Sequence, residues 1–372
     1  MKLTIERGAL LKSLAHVQSV VERRNTIPIL SNVLIEAGDN ALAMTATDMD
    51  LTIIERVTAA VAGRGATTVA AHTFFDIVRK LPEGAQVQIE SSGDGGQATL
   101  KAGRSRFVLQ TLPKEDFPTM GAGDLPHKFE IAAKELRNLI DRTRFAISTE
   151  ETRYYLNGIY VHGTTSGDVK VLRAVATDGH RLARFEMPAP AGAADMPGII
   201  VPRKAVGELR KLLDESDDRV EVALSDAKIR FSCGEIVLTS KLIDGTFPDY
   251  QRVIPTGNDK VMEVPKREFA EAVDRVSTIS SEKSRAVKLS LKNGMLTLSA
   301  TSPEAGSASE ELEVKYGGGD LEIGFNSRYL LDIAQQIEGE GAQFALADAA
   351  SPTLVRDVAD ASALYVLMPM RV

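Results

Sequence analysis

Apolar residues along this chain follow two spacings in turn. Leu3 and Ile5 alternate with Lys2 and Thr4, and then Leu10, Leu14, Val17 and Val21 recur three or four residues apart. The first spacing is that of a half-buried strand, the second that of one face of a helix. The pair returns as Lys128–Phe129–Glu130–Ile131 running into Leu136, Ile140 and Thr143. It returns again as Val261–Met262–Glu263–Val264 running into Phe269, Val273 and Val276. Ile5, Ile131 and Val264 stand 126 and then 133 residues apart. A strand–helix unit copied at domain-sized spacing predicts three related domains, at 1–120, 127–250 and 251–372.

Each copy holds a second helical pattern after a short apolar strand. The first spans about Thr73 to Leu81, with Phe74, Val78 and Leu81 toward the core. The second opens near Pro202, with Ala205, Leu209 and Leu212 inward. The third opens at Asn326–Ser327, good helix-capping residues, with Tyr329, Leu330 and Ile333 inward. Most of the rest alternates like antiparallel strands, among them Ile29–Ile35, Ala41–Thr47, Leu51–Val57, Val169–Thr177 and Met295–Ala300. Turn residues separate them, as in Gly38–Asp39–Asn40, Gly93–Asp94–Gly95–Gly96 and Asn293–Gly294. Ala46–Thr47–Asp48, Ala176–Thr177–Asp178 and Ala300–Thr301–Ser302 mark equivalent strand ends. Linkers ending in Phe117–Pro118 and Phe247–Pro248 close the first two copies. The fold class is α+β, with two helices on antiparallel sheet in each copy.

Charge changes the picture on the helices. Opposite the apolar stripes lie Lys12, His16 and Arg23, then Lys134 and Arg142, then Arg267 and Arg275; His16, Arg142 and Arg275 hold one repeated position. The second helices add His72, Arg79 and Lys80, then Arg203, Lys204, Arg210 and Lys211, then Arg328. A solvated face is one reading of each helix. Repetition favours a shared surface for phosphate, on a chain whose net charge is −7 and whose charge is therefore segregated.

Catalytic signals are missing. The sequence has no phosphate-binding glycine loop, paired-histidine zinc helix or nucleophile elbow. One cysteine, Cys233, and five scattered histidines give no metal cluster by spacing. Asp48 with Asp50, or Asp178 with His180, could form an acid–base or metal pair, but strand-end turns suit them better. The expectation is a cytoplasmic, non-enzymatic protein without cofactor or metal, without a cleavable signal and without a membrane span. Tyr154–Tyr155 suits either a half-buried strand start or stacking on an unpaired base. The end, Val366–Leu367–Met368–Pro369–Met370–Arg371–Val372, suits packing, and its methionines would also make an adaptable apolar surface.

Several motifs together resemble one family. They are Arg153–Tyr154–Tyr155–Leu156–Asn157–Gly158, Ala176–Thr177–Asp178–Gly179–His180–Arg181–Leu182, Val201–Pro202–Arg203–Lys204, Phe247–Pro248–Asp249–Tyr250 and the Met368–Pro369–Met370–Arg371 end. From Met1 to Val372 the chain resembles the bacterial DNA sliding clamps, the beta subunits of DNA polymerase III. The resemblance implies a head-to-tail homodimer closed into a ring around duplex DNA, helices inside and sheets outside, acting as a processivity factor without sequence specificity. Polymerases, the clamp loader, and mismatch-repair and ligase-type proteins would dock through short motifs.

By the same resemblance the partner pocket comprises Leu156, Thr177, Gly179, His180, Arg181 and Leu182, then Pro248, Arg252 and Val253, then Asn326 and Tyr329, and finally Val366, Met368, Pro369, Met370 and Arg371. The DNA-facing residues would be Arg24, Tyr154, Tyr155, Arg203 and Lys204. The dimer contact would set Arg104, Arg106, Phe107 and Leu109 against Thr278, Ile279, Glu304 and Glu310. Departures from the family pattern are His72–Thr73, Pro352 and Gln251. The alternatives are a sequence-specific DNA-binding protein and a metal-dependent nuclease built on Asp48, Asp50 and Asp178.

Overall fold

The computed structural model describes residues 1–92, 96–121, 123–214, 218–281 and 285–372; the expected turn at Gly93–Asp94–Gly95 lies outside them. Six α-helices occur among the described residues: α1 Arg7–Gln18, α2 Ala71–Lys80, α3 Ala133–Asp141, α4 Arg203–Leu213, α5 Lys266–Ser277 and α6 Ser327–Gln336. None is long and apolar enough to cross a membrane.

The repeat seen in the sequence is a repeat of backbone pairing. In each copy the opening strand pairs antiparallel with the strand after the second helix. Lys2–Glu6 pairs with Gln86–Ser91, His127–Ala132 with Arg219–Leu224, and Lys260–Pro265 with Gly341–Leu346. The same hydrogen bond starts each first helix: Arg7 N–H donates to Ala85 O (2.9 Å), Ala133 N–H to Asp218 O (3.0 Å) and Lys266 N–H to Glu340 O (2.8 Å). The strand before each second helix pairs with the strand after each first helix: Gly65–Ala70 with Asn32–Gly38, Ile199–Pro202 with Gly158–Ser166, and Leu321–Asn326 with Ala286–Lys292.

The chain divides into two compact units. The first comprises Met1–Leu136, Pro190–Ala193 and Lys204–Leu242. It holds a 13-stranded antiparallel sheet in which Ile236–Lys241 of the second repeat pairs with Leu51–Thr58 of the first. Leu10, Leu14 and Val17 of α1 and Phe74 and Val78 of α2 are buried against it. The second unit comprises Arg137–Ala189, Ala194–Arg203 and Ile243–Val372. It holds a nine-stranded and a four-stranded sheet, and there Ala363–Leu367 of the third repeat pairs with Arg181–Pro188 of the second. Phe269, Val273 and Val276 of α5 and Leu330 and Ile333 of α6 fill its core. The rule is the same in both units: the last strand of one repeat pairs with the fourth strand of the repeat before it.

Three expectations fail locally. Ile29–Ile35 is not all strand: Pro28–Ser31 forms a 3-10 turn, with proline fixing its start, and the strand begins at Asn32. Tyr329 is only half-buried, its ring serving as a platform for Arg181 (guanidinium carbon 4.3 Å from the centroid).

The third failure concerns the shared outward position. His16 is 8% exposed and Arg142 5%. His16 Nδ1 lies 2.7 Å from Glu55 Oε2, and Ser13 Oγ donates to Glu55 Oε1 (2.7 Å). One turn on, Ser19 Oγ donates to Glu208 Oε2 of α4 (2.5 Å). Arg142 donates to Gln336 O, at the end of α6, and pairs with Glu338 (2.8 Å). In the second copy the end of α6, from the following repeat, covers Arg142; in the first, Glu55 on the Leu51–Thr58 strand of the same repeat meets His16. In the third copy the Arg275 side chain is 57% exposed and forks onto Glu310 (2.6 and 3.0 Å). A wheel drawn for one helix cannot show that cover.

Candidate functional site

Two turns occupy equivalent places in the first and second repeats. Asp48 Oδ1 accepts from the N–H groups of Asp50 (2.9 Å) and Leu51 (2.7 Å). Asp178 Oδ1 accepts from those of His180 (2.9 Å) and Arg181 (3.0 Å). Thr47 Oγ1 donates to Leu51 O, and Thr177 Oγ1 to Arg181 O. Met49 and Gly179 both have positive φ, 78° and 88°. These aspartates close turns, as the strand-end reading expects. Among the described residues no group of three or more His, Cys, Asp or Glu could hold a metal. Burial pushes the Cys233 thiol up to about 11, which makes it a poor nucleophile at neutral pH.

The Thr177–Arg181 turn borders a cleft of about 280 Å³ within the second unit. Nine of the sixteen residues assigned to the partner pocket line it: Leu156, Thr177, Gly179, Arg181, Leu182, Pro248, Val253, Val366 and Met368. Beneath it lies a core cluster of Leu156, Val175, Leu182, Ile200, Phe247, Tyr250 and Val366. Arg181 is fixed from all sides. It bonds Asp178 (3.2 Å), Asp332 of α6 (2.5 Å) and Phe145 O (2.6 Å), between the rings of Tyr329 and Phe145. Gly179 leaves room here: a Cβ would come within 2.6 Å of Arg153 Nη1 and displace the guanidinium that donates to Asp178 O.

The other seven residues do not line the cleft. The His180 ring stacks on Tyr329 at 6.5 Å, and its carbonyl accepts from Met368 N–H (2.9 Å). Arg252 is exposed and paired with Asp249 (2.9 Å). Asn326 caps α6 by accepting from Arg328 N–H (3.0 Å). Pro369, Met370 and Arg371 continue the tail, and Met370 bridges to Gly324, where a Cβ would strike Val372. The assigned pocket residues omit Arg153, Tyr155, Asp249 and Tyr250, which stand in the motifs that carry the resemblance and do line the cleft. Their signal is adjacency, since Tyr155 precedes Leu156 and Tyr250 follows Pro248–Asp249.

The residues assigned to DNA differ in freedom. Arg24 and Arg203 are exposed, and Tyr154 is 53% exposed. Tyr155 packs on the cleft's core cluster, edge-on to Tyr154. Lys204 Nζ is held by Asp48 Oδ2 (2.6 Å), Glu22 Oε1 (2.5 Å) and Val20 O (3.1 Å). Burial would lower its pKa, but the two carboxylates reverse the sign and raise it. Of the assigned dimer residues, Arg104, Arg106, Thr278 and Glu304 are exposed; Phe107, Leu109, Ile279 and Glu310 are half-buried, and Glu310 holds Arg275.

Three two-helix-on-sheet repeats, an apolar cleft rimmed by fixed charges and turns in place of an acid–base pair define a binding scaffold. Models of the N-terminal, central and C-terminal domains of the DNA polymerase III beta subunit match residues 1–121, 130–249 and 251–371. The chain is 56% identical to the beta sliding clamp of Caulobacter vibrioides and 40% identical to that of Escherichia coli, over the whole of both chains in each case. A crystal structure of the C. crescentus beta sliding clamp superposes with TM-score 0.98 at 56% identity, covering 100% of this chain and 99% of that one. The Bartonella birtlesii clamp bound to griselimycin superposes with TM-score 0.97 at 53% identity, over the whole of both chains. This chain belongs to the DNA polymerase III beta subunit family, the beta sliding clamps.

Proposed function

We propose that this chain is a DNA polymerase processivity factor of the cytoplasm and not an enzyme. Two copies join head to tail into a ring of six repeats around duplex DNA, with domains at 1–120, 127–250 and 251–372. One observation carries the reading. The last strand of each repeat pairs with the fourth strand of the repeat before it, and this leaves two strands over. Ser105–Leu112 is the last strand of the first repeat, and only Thr111 and Leu112 pair beyond its hairpin partner. Gly306–Glu313 is the fourth strand of the third repeat and stands at the edge of its sheet. A second copy supplies the missing neighbour at both. Arg104 and Arg106 meet Glu304 and Glu310 around Phe107, Leu109 and Ile279, beside Thr278, so opposite charges surround an apolar centre. A head-to-tail contact makes a closed ring when its rotation closes, and an open filament otherwise.

In such a ring the helices face DNA. Arg24, Arg203 and Tyr154 reach phosphates or bases directly, while Tyr155 supports Tyr154. Lys204 reaches DNA only by leaving Asp48 and Glu22. Weak contacts suit sliding, because phosphate contacts give affinity without sequence information. The cleft takes the leucine or phenylalanine side chains of a short partner motif, with His180, Arg252 and the Met368–Arg371 tail at its rim. Polymerases, the clamp loader and repair proteins share it. Loading onto nicked circular DNA followed by gel filtration tests the function. The complex should persist on circles and vanish on cutting the DNA, whatever its sequence. Tight, sequence-dependent binding to short linear duplex would overturn it.

A further inference from the structure

Behind the cleft, three neighbouring strands place His162, Arg173 and Glu186 in one row, as register partners. The row ends on Tyr250, whose ring lines the cleft and whose hydroxyl points away from solvent. Tyr250 Oη lies 3.0 Å from His162 Nε2 and 3.0 Å from Arg173 Nη1. Arg173 is held in turn by Glu186, with Nε and Nη2 2.8 and 2.7 Å from Oε2, and Ser166 Oγ donates to Glu186 Oε1 (2.8 Å). The His162 ring stacks on Tyr160 (4.8 Å), and Tyr160 stacks on Phe247 (4.9 Å).

The proton positions follow from donor counting. Arginine can only donate, so Tyr250 Oη accepts from Arg173. The tautomer is set at the other end of the ring: with Nδ1–H turned to the Gly163 carbonyl (3.2 Å), the neutral imidazole leaves Nε2 bare to accept the phenolic proton. We propose that His162 and Arg173 are positioning residues of the cleft: they grip the Tyr250 hydroxyl from behind and fix its ring as a rigid wall for an apolar peptide side chain. The inference rests on reading the cleft as the partner-peptide site.

A protonated His162 can only donate to Tyr250 Oη, which leaves the buried phenolic proton without its acceptor and weakens the grip. The surroundings favour the neutral form. Arg173 and Arg184 share the single carboxylate of Glu186, with Arg184 Nη2 3.8 Å from it, and Arg356 adds further positive charge near Arg184. The other titratable groups against the ring are the phenols of Tyr160 and Tyr250. Burial lowers the His162 pKa, the Gly163 carbonyl opposes this, and Arg173 lowers it further. The sign is then fixed. Peptide affinity is full while His162 is neutral, and falls as pH descends through a pKa below the ordinary 6.5.

The experiment uses the full chain and a fluorescent synthetic peptide carrying leucine and phenylalanine anchors, with anisotropy read from about pH 8 to about pH 5. The parent should lose affinity by about threefold to tenfold toward acid, the worth of one hydrogen bond. His162→Gln, whose amide oxygen can accept the same proton, should flatten the curve. Tyr250→Phe should bind about threefold to tenfold more weakly already at neutral pH, and with no slope. A flat parent curve, or an undiminished slope in His162→Gln, overturns the inference. Met368→Asp, at the exposed lip, separates this from failure of the cleft reading: unchanged peptide binding there refutes the cleft. Nitrogen-15 spectra of the His162 ring need no peptide. They should show a protonated Nδ1 and a bare Nε2, and a protonated Nε2 overturns the inference.

Discussion

The Thr47–Leu51 and Thr177–Arg181 turns share one backbone and face different fates. In the first, Asp48 Oδ2 takes Lys204 from α4, and that ammonium also holds Glu22 and Val20 O, so charge and chain fill the space. In the second, the α6 residue matching Lys204 is Arg328, which is exposed. Asp178 Oδ2 is met instead by Arg181 of its own turn, drawn toward Asp332, Phe145 and Tyr329. The flank left open is the cleft. A repeated fold thus supplies the frame, and a few non-repeated side chains decide which copy of the frame leaves an apolar cleft open.

The largest expected effect strikes the open turn. Arg181→Ala leaves Asp178 and Asp332 without their shared cation and should destabilise the second unit by about 3 kcal/mol in urea unfolding. A loss under about 1 kcal/mol would show that the guanidinium is not what holds α6 to the turn. Next comes Met368→Asp, which puts a charge on the lip of an apolar cleft. Peptide affinity should fall by about tenfold to a hundredfold by anisotropy, with thermal stability near that of the parent.

Acid should separate the two units. In the second, Asp357 is buried; burial would raise its pKa, but the N–H groups of Gly339, Ala359 and Glu338 outweigh this and hold it below the usual range. Glu186 behaves alike, with burial outweighed by Ser166, Arg173 and Arg184. Each carboxylate is depressed in the folded state. Its contribution is therefore full above the unfolded pKa of about 4 and is lost as pH falls through the folded value. Acid unfolding followed by hydrogen exchange should open the second unit first, and Asp357→Asn should cost about 1–2 kcal/mol at neutral pH. The smallest effect belongs to the filled turn. Lys204→Ala should cost about 1 kcal/mol, because the Lys204 side chain is itself 34% exposed where that of Arg181 is 9% exposed; a loss as large as that of Arg181→Ala would erase the contrast between the turns.

Much of this plan was legible in the sequence. The strand–helix pattern at Ile5, Ile131 and Val264 is set by local periodicity, and it marks where α1, α3 and α5 begin. Asn326 announces the start of α6 through its capping chemistry, and the Asp48 and Asp178 turns follow from turn propensity. What was not legible is what elements distant in the chain, of the same repeat or the next, do to each helix. His16 and Arg142 read as outward because a helical wheel knows only its own helix; Glu55 and the end of α6 bury them. Tyr250 stands in the Phe247–Pro248–Asp249–Tyr250 motif, but the partners of its hydroxyl, His162 and Arg173, lie 88 and 77 residues away in the chain. Long-range polar partners leave no periodic signature.

The central claim is that only the open turn, between the second and third repeats, takes a partner peptide. Calorimetric titration with a leucine- and phenylalanine-anchored peptide tests it most directly. One peptide should bind per chain, binding should be lost in Met368→Asp, and it should be unchanged in Lys204→Ala. Two peptides per chain, or a single one that survives Met368→Asp, would contradict it.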